Sequence, residues 1–362
     1  MRIYYMMASL LVIFCGFFLN IVPISPIYIS FSIVILLNII LFFRKPVFKL
    51  DEISLYVIIF IIYLILTQII LLNNDNHAMY NVLFSLIYCV VSMRCLSKVS
   101  GQQLIDISVK FININIIILT IEAIYRWLHP QSLAVNASED IAYYKYKYSS
   151  IMYLDSNFVG IYAVAVFFFG TYLVTCKGVK LKKQQLLLAL IIIATLSKAS
   201  IIALVIFGYI YQLRISKSLK KLILIFIIAL AGYELVTLFM NIGTMARKIY
   251  AVEETWKYLR ETNLFSLLFG VGFGNTDLYI RNGGHNIILV YIVESGIIGL
   301  SLLLFLFIIF YKRTNSKFGI VLFPFLFVAM SMVGHATQYL YVIAAIIYYL
   351  EKNNKNVSIM DV

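Results

Sequence analysis

The sequence predicts an all-α, polytopic integral membrane protein, a single multi-spanning domain over residues 1–362. Three observations carry this. Hydrophobic residues make up 63% of the chain and charged residues only 12%. Most of the apolar residues fall in runs long enough to span a hydrocarbon core of roughly 30 Å. The lysines and arginines concentrate in alternate connections between those runs, as retention of positive loops in the cytoplasm requires. The formal net charge of +13 is then mainly a topology signal, and no nucleic-acid partner is needed to explain it.

In chain order, apolar windows lie near 3–22, 27–43, 53–72, 80–96, 104–127, 151–175, 185–197, 199–213, 222–240, 286–310, 318–334 and 338–350. They predict about twelve spans, or about ten or eleven if the short or polar fourth, seventh, eighth and last windows are discounted. The first has a basic start at Arg2 and reads as a retained helix rather than a cleaved leader. The chain shows no fixed-period repeat and no inverted duplication, which argues against a transporter built from repeats. Cys15, Cys89, Cys95 and Cys176 all sit in apolar runs without CxxC spacing, so they read as small packing residues rather than a disulfide frame or metal site.

One side of the twelve-span topology collects Arg2, Arg44, Lys45, Lys49, Arg94, Lys98, Lys110, the basic residues of 177–183 and 214–221, Lys312, Arg313, Lys317, Lys352 and Lys355. Both termini are therefore expected in the cytoplasm. The remaining cations fall outside against the rule: Arg126, Lys145, Lys147, Lys198, Arg247, Lys248, Lys257, Arg260 and Arg281. Such placement suggests an anionic ligand on the outer face.

That face holds two long loops, about 128–150 and 241–285, and long loops on a rigid scaffold commonly carry function. In the first, Tyr143-Tyr-Lys-Tyr-Lys-Tyr148 interleaves tyrosine with lysine, either to stack on sugars and hold phosphate or as an interfacial belt with snorkelling lysines. Asp155 and Asn157 open the next span, where they cap the helix or bind hydroxyls. Lys198 sits in a tight turn at the outer boundary, where an ammonium needs an anion or must snorkel.

The second loop contains an amphipathic segment over 245–261, with Ile249, Val252, Trp256 and Leu259 on one stripe. Lys248 and Arg260 edge that stripe, while Arg247, Glu254 and Glu261 share the far polar face. A surface helix with cations at lipid-headgroup level suits a lipid pyrophosphate, and it also suits an ordinary interfacial helix. Next comes Phe269-Gly-Val-Gly-Phe-Gly-Asn275, where Gly270, Gly272 and Gly274 permit tight turns and close backbone approach. Without a P-loop lysine this is a weak phosphate signal. His285 at the mouth of the following span is a candidate general base, in the company of Arg281 and Asn286. Glu294, and Glu234 in an earlier window, are carboxylates within membrane spans and hence functional candidates.

The ordered set Gly-Val-Gly-Phe-Gly, His285-Asn286 and Glu294-Ser-Gly296-Ile-Ile-Gly299 resembles the signature of the O-antigen polymerase and O-antigen ligase superfamily, the Wzy-type and WaaL-type membrane glycosyltransferases. Leu-Asp-Ser-Asn157 opening a span, Thr-Leu-Ser-Lys198 at a turn, and Arg247 with Trp256 ahead of the glycine loop agree in order. The likeness covers about 150–300 well and the first four spans only by hydropathy. It departs at Lys198, where the family has arginine, so the charge is kept and bidentate phosphate binding is not.

The resemblance implies a GT-C-like helical architecture and a metal-independent, inverting transfer at the periplasmic face of the bacterial inner membrane, without a cofactor. The substrates would be undecaprenyl-pyrophosphate-linked glycans drawn from the membrane lipid, with a flippase and a chain-length regulator as working partners. His285 would activate the acceptor hydroxyl, and Lys198 and Arg247 would neutralise the departing pyrophosphate, as fixed positive charge does without a metal. Arg281, Arg260, Lys248, Asn286, Asp155, Asn157 and Glu294 would bind substrate. A polymerase extending lipid-linked repeat units is the expected activity, a ligase acting on lipid A-core the alternative, and a flippase or transporter the reading from another class.

Overall fold

A computed structural model describes residues 2–44, 50–71, 77–131, 145–153, 155–212, 243–280, 286–331 and 335–360, without side chains at 44, 212, 243–248 and 354–360. The described elements are helices: α1 (Arg2–Phe14), α2 (Pro26–Arg44), α3 (Glu52–Leu71), α4 (His77–Leu96), α5 (Gly101–Leu128), α6 (Ser156–Lys177), α7 (Lys182–Ala194), α8 (Lys198–Gln212), α9 (Gly243–Glu261), α10 (Leu264–Phe269), α11 (Thr276–Tyr279), α12 (Ile287–Arg313), α13 (Gly319–Ala329) and α14 (Gln338–Met360). Strand-type pairing among the described residues is limited to an isolated bridge between Leu19 and Met152.

By length and composition, six of the described helices can cross a membrane: α2, α3, α4, α5, α6 and α12. Their outward faces are apolar, as Ile62, Leu66 and Ile69 of α3 illustrate, each at least half exposed. Such a face suits lipid, where apolar surface carries no penalty and every backbone polar group must be paired within the helix. The protein is thus embedded in a membrane. α6 is apolar all round, and 83% of its window is buried, which makes it a central helix rather than a lipid-facing one. It packs against α5, α7, α8, α13 and α14.

Several spans differ from the sequence expectation. α1 stops at Phe14 instead of continuing to 22, because residues 15–20 turn back against 151–153. There Asn20 N–H donates to Ile151 O at 2.8 Å and Tyr153 N–H donates to Phe18 O at 3.3 Å, so the backbone is satisfied outside the helix. Gly16 permits this turn, since a Cβ there would stand 2.0 Å from the Tyr162 ring. At the other end of the chain α14 runs past 350 to Met360.

α7 and α8, with 13 and 15 residues, measure about 20 Å and 22 Å. α7 falls short of a hydrocarbon core of roughly 30 Å, and with the described part of α8 it forms a hairpin whose turn reaches the head of α6. A hairpin returns the chain to its starting side, so the sidedness of later elements is the same as for two spans. The window 222–240 with Glu234, and most of the first loop including Tyr143, lie outside the described residues.

Arg126 corrects one expectation. Instead of offering an outer cation to a ligand, it is fully buried and its Nε lies 3.0 Å from Glu122 Oε1, also fully buried. Its other nitrogens donate to Tyr146 O at 3.2 Å and to Ala194 O at 2.8 Å. One guanidinium thereby ties the end of α5 to the 145–150 segment and to the α7–α8 turn. Removing one partner of a buried pair leaves an uncompensated charge and costs about 3–5 kcal/mol, whereas removing both often costs little. Arg126→Ala is therefore expected to lower the thermal unfolding midpoint of the detergent-purified protein sharply, and adding Glu122→Ala should recover a substantial part; a midpoint that Arg126→Ala leaves in place would contradict this clamp.

Candidate functional site

The glycine-rich stretch and the helix after it form one locked unit. Asn263 caps α10 by accepting Ser266 N–H at 2.8 Å, and α10 ends at Gly270. Gly270, Gly272 and Gly274 all have positive φ, 81°, 93° and 83°. α12 starts at a cap in which Asn286 accepts Ile288 N–H at 2.9 Å, and it is broken at Gly296, with φ 68° and ψ −176°. The carbonyls around that break are taken from outside the helix. Val271 N–H donates to Val293 O at 2.9 Å, Gly272 N–H to Glu294 O at 3.0 Å, and the Tyr63 hydroxyl to Ser295 O at 2.7 Å.

The approach is so close that neither backbone tolerates a side chain. A Cβ on Gly270 would lie 2.3 Å from Glu294 O, and one on Gly296 would lie 2.2 Å from Leu268 O. The glycines expected to allow close backbone approach do so, and the surface they approach is α12. Phe273 N–H donates to Gln68 Oε1 at 3.2 Å and Gly274 N–H to Glu294 Oε1 at 3.0 Å. With Gly270 N–H on Ser266 O at 2.8 Å, every backbone N–H from 270 to 274 has an internal acceptor. Such a loop holds a helix, and its backbone N–H groups from 270 to 274 are engaged within the protein.

Glu294 is the centre of this lock. It is 2% exposed, and its Oε1 also accepts the Thr276 hydroxyl at 2.7 Å. Its Oε2 lies 2.9 Å from Nε2 of His335, whose side chain is 20% exposed. The intramembrane carboxylate thus has a partner that the sequence reading did not name. The available signal was the polar cluster His335-Ala-Thr337-Gln338 interrupting two apolar runs. That cluster is built in: Gln338 is fully buried and donates to Cys15 O at 2.6 Å, and Thr337 N–H donates to Ser85 Oγ at 3.0 Å.

His335 lines a cavity of about 420 Å³ together with Phe18, Asn81, Tyr153, Phe158 and Tyr339. Tyr153 adopts φ 56°, a conformation uncommon for a side chain of this size. It is held there by its hydroxyl donating to Gly16 O at 3.0 Å and its carbonyl accepting from the Asn20 side chain. Burial pushes the Tyr153 phenol well above its ordinary pKa, so it remains a neutral donor.

The other expected residues divide between this end and positions outside the described residues. Asp155 caps α6, accepting Asn157 N–H at 2.8 Å and Asn157 Nδ2–H at 3.1 Å, while Lys147 donates to Asn157 Oδ1 at 3.3 Å. Of the two roles left open for Asp155, capping is the one observed. Lys198 is exposed as the first residue of α8, following a turn strained at Leu196, φ 56°. That turn is held by the Ser156 hydroxyl on Thr195 O at 2.8 Å and by Arg126 on Ala194 O at 2.8 Å.

α9 matches the amphipathic expectation. Ile249, Val252 and Trp256 face away from the protein, and the opposite face buries Ala251 and Thr255 near Val271, Ile280 and Val293. Arg260 stacks its guanidinium 5.0 Å from the centre of the Trp256 ring. Arg247 and Lys248 lie on the α9 backbone with side chains that are not described, and Arg281 and His285 lie outside the described residues. No family model matches the chain, and no curated protein matches it.

The lock makes a graded prediction. Gly296→Ala meets both a glycine-only conformation and a backbone clash, and is expected to destabilise by about 3 kcal/mol or more. Gly178→Ala, at φ 69° with open space around it, is expected to cost only about 1 kcal/mol. Thermal unfolding of both variants in detergent checks the ranking, and equal midpoints would contradict it.

Proposed function

We propose that the chain is a membrane glycosyltransferase that polymerises a surface polysaccharide, transferring a growing glycan from polyprenyl pyrophosphate to the next lipid-linked repeat unit at the outer face of the plasma membrane. The observation that supports this reading is the joining of two pieces of the signature, the glycine loop and the Glu294–Gly296 turn, into one unit. The Gly270–Gly274 loop, Glu294 and Gly296 interlock at the break within α12, beside a cavity with aromatic walls and a histidine.

The chemistry required is modest. The leaving group is a pyrophosphate, which departs with its negative charge and needs fixed cations more than a proton. In this reading Lys198, Arg247 and Arg260 supply that charge at the level of the lipid headgroups, with α9 lying in the interface to meet a lipid-linked donor. A histidine at the mouth takes the acceptor proton; the resemblance gives this task to His285. Aromatic rings beside polar tips suit the flat apolar faces and hydroxyl edges of sugars.

A glycan ladder tests the proposal. Deleting the gene is expected to leave a single repeat unit on the surface anchor in place of long chains, and wild type should restore the ladder. Lys198→Ala and Arg247→Ala, each expressed at the wild-type level, should restore it poorly, with a rate loss of about 10²-fold. Loss of all glycan from lipid A-core with accumulation of long lipid-linked chains would instead identify a ligase. A ladder unchanged by deletion would refute both.

A further inference from the structure

We infer that His335, oriented by Glu294, is the general base of the transfer, and that the cavity it lines holds the acceptor sugar. The assignment rests on the glycosyltransferase reading above and differs from the base implied by the resemblance, His285. It follows from the hydrogen-bond inventory around the pair. Glu294 Oε1 already accepts the Gly274 N–H at 3.0 Å and the Thr276 hydroxyl at 2.7 Å, so that oxygen is fully engaged as an acceptor. The remaining oxygen faces His335 Nε2 at 2.9 Å. In neutral imidazole one nitrogen donates and the other accepts, and a carboxylate at Nε2 fixes the donor there. Nδ1 then carries the lone pair on a ring that lines the cavity.

The pair is also held rigidly. Glu294 is buried on a helix locked to the glycine loop, and the His335 ring meets the Phe273 ring edge-on, with centroids 6.0 Å apart. A volume of about 420 Å³ falls within the roughly 300–1,000 Å³ typical of small-molecule sites. Its walls combine the rings of Phe18, Tyr153, Phe158 and Tyr339 with the Asn81 side chain, a composition that recognises a sugar ring by its apolar face and hydroxyl edge.

The acceptor hydroxyl oxygen bonds to the anomeric carbon of the donor, and the bond from that carbon to the pyrophosphate oxygen breaks, its electron pair leaving with the polyprenyl pyrophosphate. The hydroxyl proton passes to His335 Nδ1. The imidazolium that results is stabilised by Glu294 and later releases the proton to water.

The test uses membranes of the deletion strain, in which lipid-linked repeat units accumulate, together with the purified full-length chain, following elongation by glycan length. Wild type is expected to elongate, and His335→Ala to be slowed by about 10²-fold or more, the usual worth of a positioned base. Added imidazole should restore part of the lost rate. Glu294→Gln keeps the acceptor for Gly274 and Thr276 but presents an amide donor to Nε2, forcing the proton onto Nδ1. It should lose a similar factor with its unfolding midpoint near that of wild type. If wild type elongates and His335→Ala stays within about threefold of it, where a base should be worth at least 10²-fold, the assignment fails. It also fails if His335→Ala is slow and unrescued while Glu294→Gln is as fast as wild type, since that pattern marks a purely structural histidine. If wild type itself does not elongate, the transferase reading falls and the assignment with it.

Discussion

The contact on which this end of the molecule depends is the one between two bare backbones, Gly270 against Gly296. Because each lacks a Cβ, the loop after α10 approaches the broken turn of α12 closely enough to take its carbonyls in hydrogen bonds. Two consequences follow from this single approach. The break supplies acceptors that a continuous helix would have kept for itself, so the loop is satisfied without water. The same register sets Glu294 beneath Gly274 and Thr276, which holds its second oxygen against His335. An intramembrane carboxylate would otherwise be costly, and here every bond that stabilises it also orients it.

A second clamp fixes the neighbouring part of the bundle. The buried Arg126 joins α5, the 145–150 segment and the α7–α8 turn, and Ser156 holds the same turn from the head of α6. Gly160 lies against Ser197 and Ser200, while Phe158 and Ile161 of the same helix line the cavity, so α6 joins the turn bearing Lys198 to the cavity holding His335. Among the described residues, non-glycine backbone with positive φ occurs at Tyr153 and Leu196, one in each cluster, and also at Asn315 and Ser316 after α12. Strain of this kind costs about 1–3 kcal/mol and persists where surrounding structure over-determines it.

The membrane class, α9 and the close approach of the 270–274 glycines were legible in the sequence, because composition, a 3.6-residue stripe and glycine spacing are local signals. What failed was whatever depended on partners distant in the chain. Arg126 read as a ligand cation because its match with Ala194 and Tyr146 exists only once the turns meet. The glycines indicated close backbone approach, but that the approached surface is the broken turn of α12 was not readable from their spacing. Glu294 was singled out without its partner, since His335 lies 41 residues further on, across another helix. The first span was drawn too long because hydropathy does not register a chain that turns back at Gly16 to pair with Ile151 and Tyr153.

In the proposed transfer, the Glu294–His335 pair and its cavity are the place where sugar meets base. The most direct measurement is an electron cryo-microscopy structure of the protein in lipid nanodiscs, loaded with the lipid-linked repeat unit extracted from the deletion strain. The account predicts sugar density among Phe18, Tyr153 and Tyr339, with a hydroxyl within about 3 Å of His335 Nδ1, the reach of a working base. Repeat-unit density bound elsewhere, with the cavity holding only an acyl chain, would contradict it.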